Sequence, residues 1–407
     1  MGKWFFRMTA VVLTPLCALV LIGVGMVQGS MPASFTVNEG EALALPLSYL
    51  TVNADGAVAA GAASGTSYEA QVRLFGLFPS ATVQVSVEEK QEVAVCGMPF
   101  GIKMFTEGVL VVGIGDVDTR NGDHSPARAA GLRVGDSVLK IGDTEVSTTA
   151  QVAALIEDSR GKTLELLVRR EQVEFTAHLT PVASVSEKRL KAGMWIRDST
   201  AGIGTLTFYD MKTNVFAGLG HPVNDVDTGE TVPISSGEVV PADIFGVTRG
   251  QAGSPGELLG SFVSGSWGIL TTNEETGLYG LLHEQPDAFA TLPIACKQEV
   301  LTGEAQMITT IRGQTPKAYD IVIESVDYRD DVPTQNLVIR VTDEELLQKT
   351  GGVLCGMSGS PIVQNGKLVG AVTHVFVDDP TGGYAIFAQT MRDRAAHMPT
   401  AALNNAA

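Results

Sequence analysis

The sequence predicts a mainly β, multidomain chain behind one apolar N-terminal helix, and three observations predict it. At 407 residues the chain is too long for one ordinary core, because a domain takes ~100–200 residues. Its 45 glycines and 6% aromatic share suit many turns and short strands rather than long helices. Alternating apolar and polar stretches recur along most of the length, as half-buried strands require. The net charge of −17 and pI near 4.8 argue against nucleic acid, whose phosphates need clustered Lys and Arg.

The first element is the apolar run at residues 8–27, behind Lys3 and Arg7. At about twenty residues it is long enough to cross a ~30 Å hydrocarbon core as a helix. The positive flank keeps its end cytoplasmic, so the rest of the chain is exported. The run is long for a cleaved signal, although small residues follow it (Gly29, Ser30, Ala33). An uncleaved transmembrane signal anchor over residues 1–28 is therefore expected, with a cleaved signal as the alternative.

Residues 29–95 read as a small β-rich spacer: Ala70-Gln71-Val72-Arg73-Leu74 and Thr82-Val83-Gln84-Val85-Ser86-Val87 alternate strictly, as half-buried strands do. Residues 53–67 are an Ala/Gly/Ser-rich loop.

Residues 96–183 carry a distinctive order of signals. A strand over residues 108–113 is followed by Ser125-Pro126-Ala127-Arg128-Ala129-Ala130-Gly131-Leu132-Arg133-Val134-Gly135-Asp136, then by a strand from Ser137. Thr148 can cap a helix that puts Val152, Leu155 and Ile156 on one face, and a strand from Thr163 closes the unit. This segment resembles a PDZ domain of the bacterial, protease-associated type. The resemblance implies that Gly101, Ile102, Lys103 and Met104 form a carboxylate-binding loop, whose amides would cradle a peptide C-terminus beside an open strand edge.

Residues 184–407 show evenly spaced strands and turns, which suits an all-β barrel or sandwich. Residues 344–349 suggest a short helical turn, Asn365-Gly366 a hairpin, and the last dozen residues a frayed end.

The local chemistry centres on Gly356-Met357-Ser358-Gly359-Ser360-Pro361, which resembles the nucleophile motif of chymotrypsin-fold serine peptidases. Ser358 supplies the hydroxyl. The glycines permit a tight turn in which the amides of Gly356 and Ser358 serve as an oxyanion hole. A serine needs a base, and His221 in Gly218-Leu219-Gly220-His221-Pro222-Val223 lies suitably upstream. Asp343 leads as the group that orients the imidazole, with Asp225 and Asp227 as competitors. Ser360 is the rival nucleophile and His374 a rival base. Cys355 reads as a small apolar filler. The cysteines and histidines show no metal-ligand spacing, so no metal or cofactor is expected.

Linked strings then identify a family. Residues 218–229, 347–352, 356–362, 365–376 and 379–384 resemble the stage IV sporulation protein B peptidases of spore-forming Firmicutes, and the domain order agrees over nearly the whole chain. The resemblance implies a chymotrypsin-like double β-barrel and the triad His221, Asp343 and Ser358. It also implies export into the space between forespore and mother cell. There the enzyme would cut itself and the extracytoplasmic part of a membrane-bound regulator, releasing an intramembrane metalloprotease that matures a late sigma factor. Met357 replaces the aspartate that pairs with a freed N-terminus in trypsin-like enzymes, so that activation route is closed. An exported quality-control protease fits less well, because its PDZ domain would follow the peptidase. A non-catalytic PDZ adaptor is the remaining alternative.

Overall fold

The computed structural model describes residues 2–53 and 62–398, with the backbone alone for residues 2–13. Most of the expected loop at 53–67 and the frayed end lie outside the described residues. Helix α1 (Gly2–Ser30) opens the chain and contains Pro15. The expected membrane span begins among side chains that are not described; among the described residues, no helix is long and apolar enough to cross a membrane.

A four-stranded sheet follows, with Ser34–Asn38 parallel to the end of Phe78–Glu88. Its alternation buries Val72, Val83 and Val85 in one core, which Val27 of α1 joins. The sheet docks on the rest of the protein through Gln298 Nε2, which donates to the Thr36 carbonyl at 2.7 Å.

Two long strands organise what comes next. Strand β1 (Pro99–Ile114) and strand β2 (Met194–Tyr209) pair antiparallel over almost their whole length. Between them the chain builds the PDZ unit from Ser137–Ile141, helix α2 (Thr149–Asp158), Leu164–Arg170 and Val173–Leu179. Thr148 and Gln151 form a reciprocal capping box at the start of α2, and Val152 and Ile156 are buried beneath it. The Gly-Asp signature also has a structural reason. Asp136 is fully buried and takes a bidentate pair from Arg170, at 2.7 and 2.9 Å, plus the Arg133 amide at 2.8 Å. Such pairing is what allows a buried carboxylate.

The far halves of β1 and β2 belong to a ring of six strands. Around it run β1, β2, strand β3 (Val215–Gly218), Gly277–Leu282, Gly268–Glu274 and strand β4 (Ile234–Thr248), which returns to β1. Phe100, Ile102, Met104, Phe216 and Leu278 fill it. A second closed barrel of six strands joins Gly303–Thr309, Lys317–Val326, Leu337–Val341, strand β5 (Pro361–Gln364), strand β6 (Lys367–Val375) and strand β7 (Gly382–Phe387). Asn365 and Gly366 turn β5 into β6 with positive φ at both residues, the hairpin geometry this dipeptide favours. Helix α3 (Glu344–Thr350) leads from the second barrel toward Ser358.

The expected carboxylate loop at Gly101, Ile102, Lys103 and Met104 needs correction. These residues sit in the middle of β1, paired with β2 on one side and β4 on the other. Their alternation serves the first barrel, where Phe100, Ile102 and Met104 are buried. A strand with partners on both edges has no amides to offer a peptide C-terminus.

Candidate active site

The site lies where the two barrels meet. Ser358 is half-buried on the segment between α3 and β5. Gly356 has φ +97° and Gly359 φ +92°, a region that favours glycine. Gly359 faces a second demand: a Cβ there would lie 2.1 Å from the Thr205 carbonyl oxygen and 2.5 Å from the Leu219 nitrogen.

The backbone of this segment is almost completely paired. The carbonyls of Cys355 and Met357 accept from Leu258 N–H and Ser360 N–H, at 2.9 Å each. Gly356 O accepts from Thr205 Oγ1 at 3.0 Å, Ser358 O from Thr205 N–H at 3.0 Å, and Gly359 O from Thr207 Oγ1 at 2.7 Å. The amides of Cys355, Met357, Gly359 and Ser360 are also used. Among the described residues, only the amides of Gly356 and Ser358 in this segment lack an acceptor. Those are the two expected of an oxyanion hole, where donors must wait for a charge that develops later.

His221 arrives at the same place from β3. Gly220 N–H donates to Gly218 O at 2.8 Å, and Leu219 between them has φ +63°. That is a tight γ-turn in its strained hand, which non-glycine residues seldom adopt. Gly220 packs against Thr373 and Ile386 of the second barrel, which brings the next residue, His221, to the barrel junction. Its Nδ1 lies 2.7 Å from the Pro222 carbonyl. An Nδ1–H donating there leaves Nε2 as the basic nitrogen. Burial pushes the imidazole pKa down to about 4, against the pull of the Pro222 carbonyl, and nearby His374 lowers it further.

Ser358 Oγ donates to the Thr373 carbonyl at 2.8 Å, not to His221. The register of β6 shifts between Val372 and His374, the kind of bulge that re-aims backbone groups beside active sites. To meet the imidazole, the Ser358 hydroxyl would have to turn away from this carbonyl. Hydrogen bonds of this type often tighten only with substrate present.

The other sequence candidates sort out clearly. Asp343 is the N-cap of α3, its Oδ1 accepting from Leu346 N–H at 2.8 Å. It makes no hydrogen bond to His221, and the Pro222 carbonyl holds the nitrogen that an orienting carboxylate would take. Asp225 and Asp227 are both tied to Arg197. Ser360 is fully buried and bonded to Thr309 Oγ1 at 2.9 Å, out of reach of a substrate. Met357 is buried in the second barrel's core, as its lack of charge allows. Cys355 is exposed rather than a filler. Thr205 and the Pro222 carbonyl were missed, because nothing local in sequence marks them.

The PDZ unit offers a groove in another place from the one expected. Val152 and Ile156 of α2 face Ala192, Met194 and Ile196. The edge of residues 194–197 away from β1 pairs with no strand among the described residues. The amides of Ala192 and Gly193 at its start have no acceptor there. At one end Leu190 N–H donates to Glu157 at 3.0 Å, and at the other Asp198 accepts from Thr149 N–H at 2.8 Å.

Two segments of the chain match known families. Residues 188–392 match the family described as SpoIVB peptidase S55, and residues 117–170 match the PDZ domain family. No curated protein matches the chain. Among solved structures, the Rv3671c protease in inactive form is similar at 16% identity, covering 48% of this chain and 83% of that one, with a TM-score of 0.28. A serine-to-alanine mutant of Rv3671c from M. tuberculosis H37Rv gives 15% identity, the same coverages and a TM-score of 0.27. The S55 match spans half of the chain and contains His221, Asp343 and Ser358: the protein belongs to the SpoIVB peptidase S55 family and is a serine peptidase with a PDZ domain.

Proposed function

We propose that the protein is a membrane-tethered, exported endopeptidase of sporulation. It cuts the extracytoplasmic part of a membrane-bound regulator, and itself, to release an intramembrane metalloprotease acting on a late sigma factor. Ser358 is the nucleophile and His221 Nε2 the base. The Ser358 oxygen attacks the scissile carbonyl carbon, its proton passes to Nε2, and the carbonyl oxygen, now charged, sits on the amides of Gly356 and Ser358. The proton then goes to the leaving amine, and water releases the acyl group. The third position of the triad falls to Asp343 by family resemblance, while the geometry favours the Pro222 carbonyl.

One observation carries the reading: in a segment whose other backbone groups are paired, the two amides flanking Met357 are left without acceptors. The apolar run at residues 8–27, behind Lys3 and Arg7, supports tethering and export. The open edge at residues 194–197, with the amides of Ala192 and Gly193, supports capture of a peptide C-terminus by strand addition. The test is to express the full chain in a membrane with its candidate regulator. Ser358→Ala abolishes cleavage of both; unchanged cleavage overturns the peptidase mechanism. Cleavage of itself but not of the regulator overturns the signalling role alone.

A further inference from the structure

We infer that Thr205 is a positioning residue that sets the oxyanion hole from the opposite barrel. The inference rests on Ser358 as nucleophile. The peptide unit bearing the Ser358 amide joins Met357 to Ser358, and Thr205 grips the units on both sides of it. Its hydroxyl holds the Gly356 carbonyl and its own amide holds the Ser358 carbonyl, each at 3.0 Å. The same two units are fixed at their other ends, Met357 N–H on Leu354 O at 3.0 Å and Gly359 N–H on Val372 O at 2.7 Å. The Ser358 amide is thus aimed by its neighbours.

The clamp is needed because Gly356 and Gly359 give this segment little stiffness of its own. Thr205 is only 2% exposed, so water does not readily replace its hydroxyl. It sits on β2 beside Leu206, which pairs with Gly218 just before the turn that carries His221. One residue of the first barrel therefore registers the nucleophile segment against the strand pair that delivers the base. Thr207 is the natural control. It is buried on the same strand and holds the Gly359 carbonyl at 2.7 Å, one unit beyond the clamp.

The experiment follows phosphonylation of Ser358 by a fluorophosphonate probe on the full, detergent-solubilised chain, with the limiting rate and the probe affinity measured separately. The phosphonyl oxygen charges up as a tetrahedral intermediate does, so the readout needs no natural substrate. Thr205→Val lowers the limiting rate ~10-fold, less than the ~10²–10³ of losing a donor outright, with probe affinity within about twofold. Thr205→Ser restores the rate. Thr207→Val lowers the melting temperature but keeps the rate within about twofold. Thr205→Ala is measured beside Thr205→Val, so that a folding failure of the valine variant does not decide the matter. The inference is overturned if Thr205→Ala or a folded Thr205→Val keeps the wild-type rate. It is equally overturned if Thr205→Ser is as slow as they are, or if Thr207→Val matches them. Labelling that persists in Ser358→Ala overturns the nucleophile itself, a separate failure.

Discussion

The imidazoles of His221 and His374 face one another with ring centroids 4.8 Å apart and planes 33° from parallel. His374 directly follows Thr373, whose carbonyl holds the Ser358 hydroxyl. The pair puts a second ionisable ring against the face of His221.

Burial, with the like charge of His374 as a lesser cause, places the His221 pKa at about 4, and a base must be neutral to act. The acid limb of the labelling rate should fall near pH 4, well below the ordinary imidazole range near 6.5. His374→Ala removes both cover and like charge, so the limb should move upward. A limb that stays put means His374 does not act on the base.

The same shift affects stability. The folded pKa lies below the unfolded one, so on acidification the unfolded chain takes up the proton first. Stability should decline as pH falls from about 6.5 to about 4 and level off below, as far as His221 is concerned. In His221→Gln this segment of the curve should flatten, measured by denaturant midpoint against pH.

Asp343 separates two roles. As an N-cap it is replaceable by Asn, whereas Ala costs ~1 kcal/mol. Asp343→Asn should keep the labelling rate within a fewfold, and Asp343→Ala should lower stability by that amount. A collapse of activity in a stable Asp343→Asn protein would instead return Asp343 to the triad.

Ser360→Ala should keep labelling at Ser358. The substitution leaves Thr309 Oγ1 without its buried partner, and that costs ~1–3 kcal/mol. Peptide mapping of the labelled protein locates the probe.

Gly359→Ala should be among the most damaging single changes. It combines a φ of +92° with a collision against the Thr205 carbonyl, a backbone atom that cannot step aside. A loss of more than ~2 kcal/mol and loss of labelling are expected together.

The turn at Ser358 was legible because its signal is local: glycines at positions 356 and 359 that take positive φ. Helix α2 was legible because Thr148 and the Val152, Leu155, Ile156 stripe are local too. Thr205 was invisible, since its bond to Gly356 spans 151 residues and two barrels. Gly101, Ile102, Lys103 and Met104 misled because the PDZ resemblance put the carboxylate-binding loop there. The alternation of Phe100, Ile102 and Met104 was the better signal, as it marks a strand against a core. Asp343 was read both from its place shortly before Ser358 in the sequence and from the resemblance, while the acidic pair Glu344 and Glu345 after it already marked a helix start.

The long pairing of β1 with β2 makes the PDZ fold a guest at the tip of a barrel hairpin rather than a bead on a string. Guest and host share staves. Residues 184–407 expressed alone would lack β1, and the first barrel could not close around Phe216 and Leu278. The converse excision is gentler: Met104 and Thr200 face each other across the pair, so a tight turn between them would remove the guest and leave the host's ring whole.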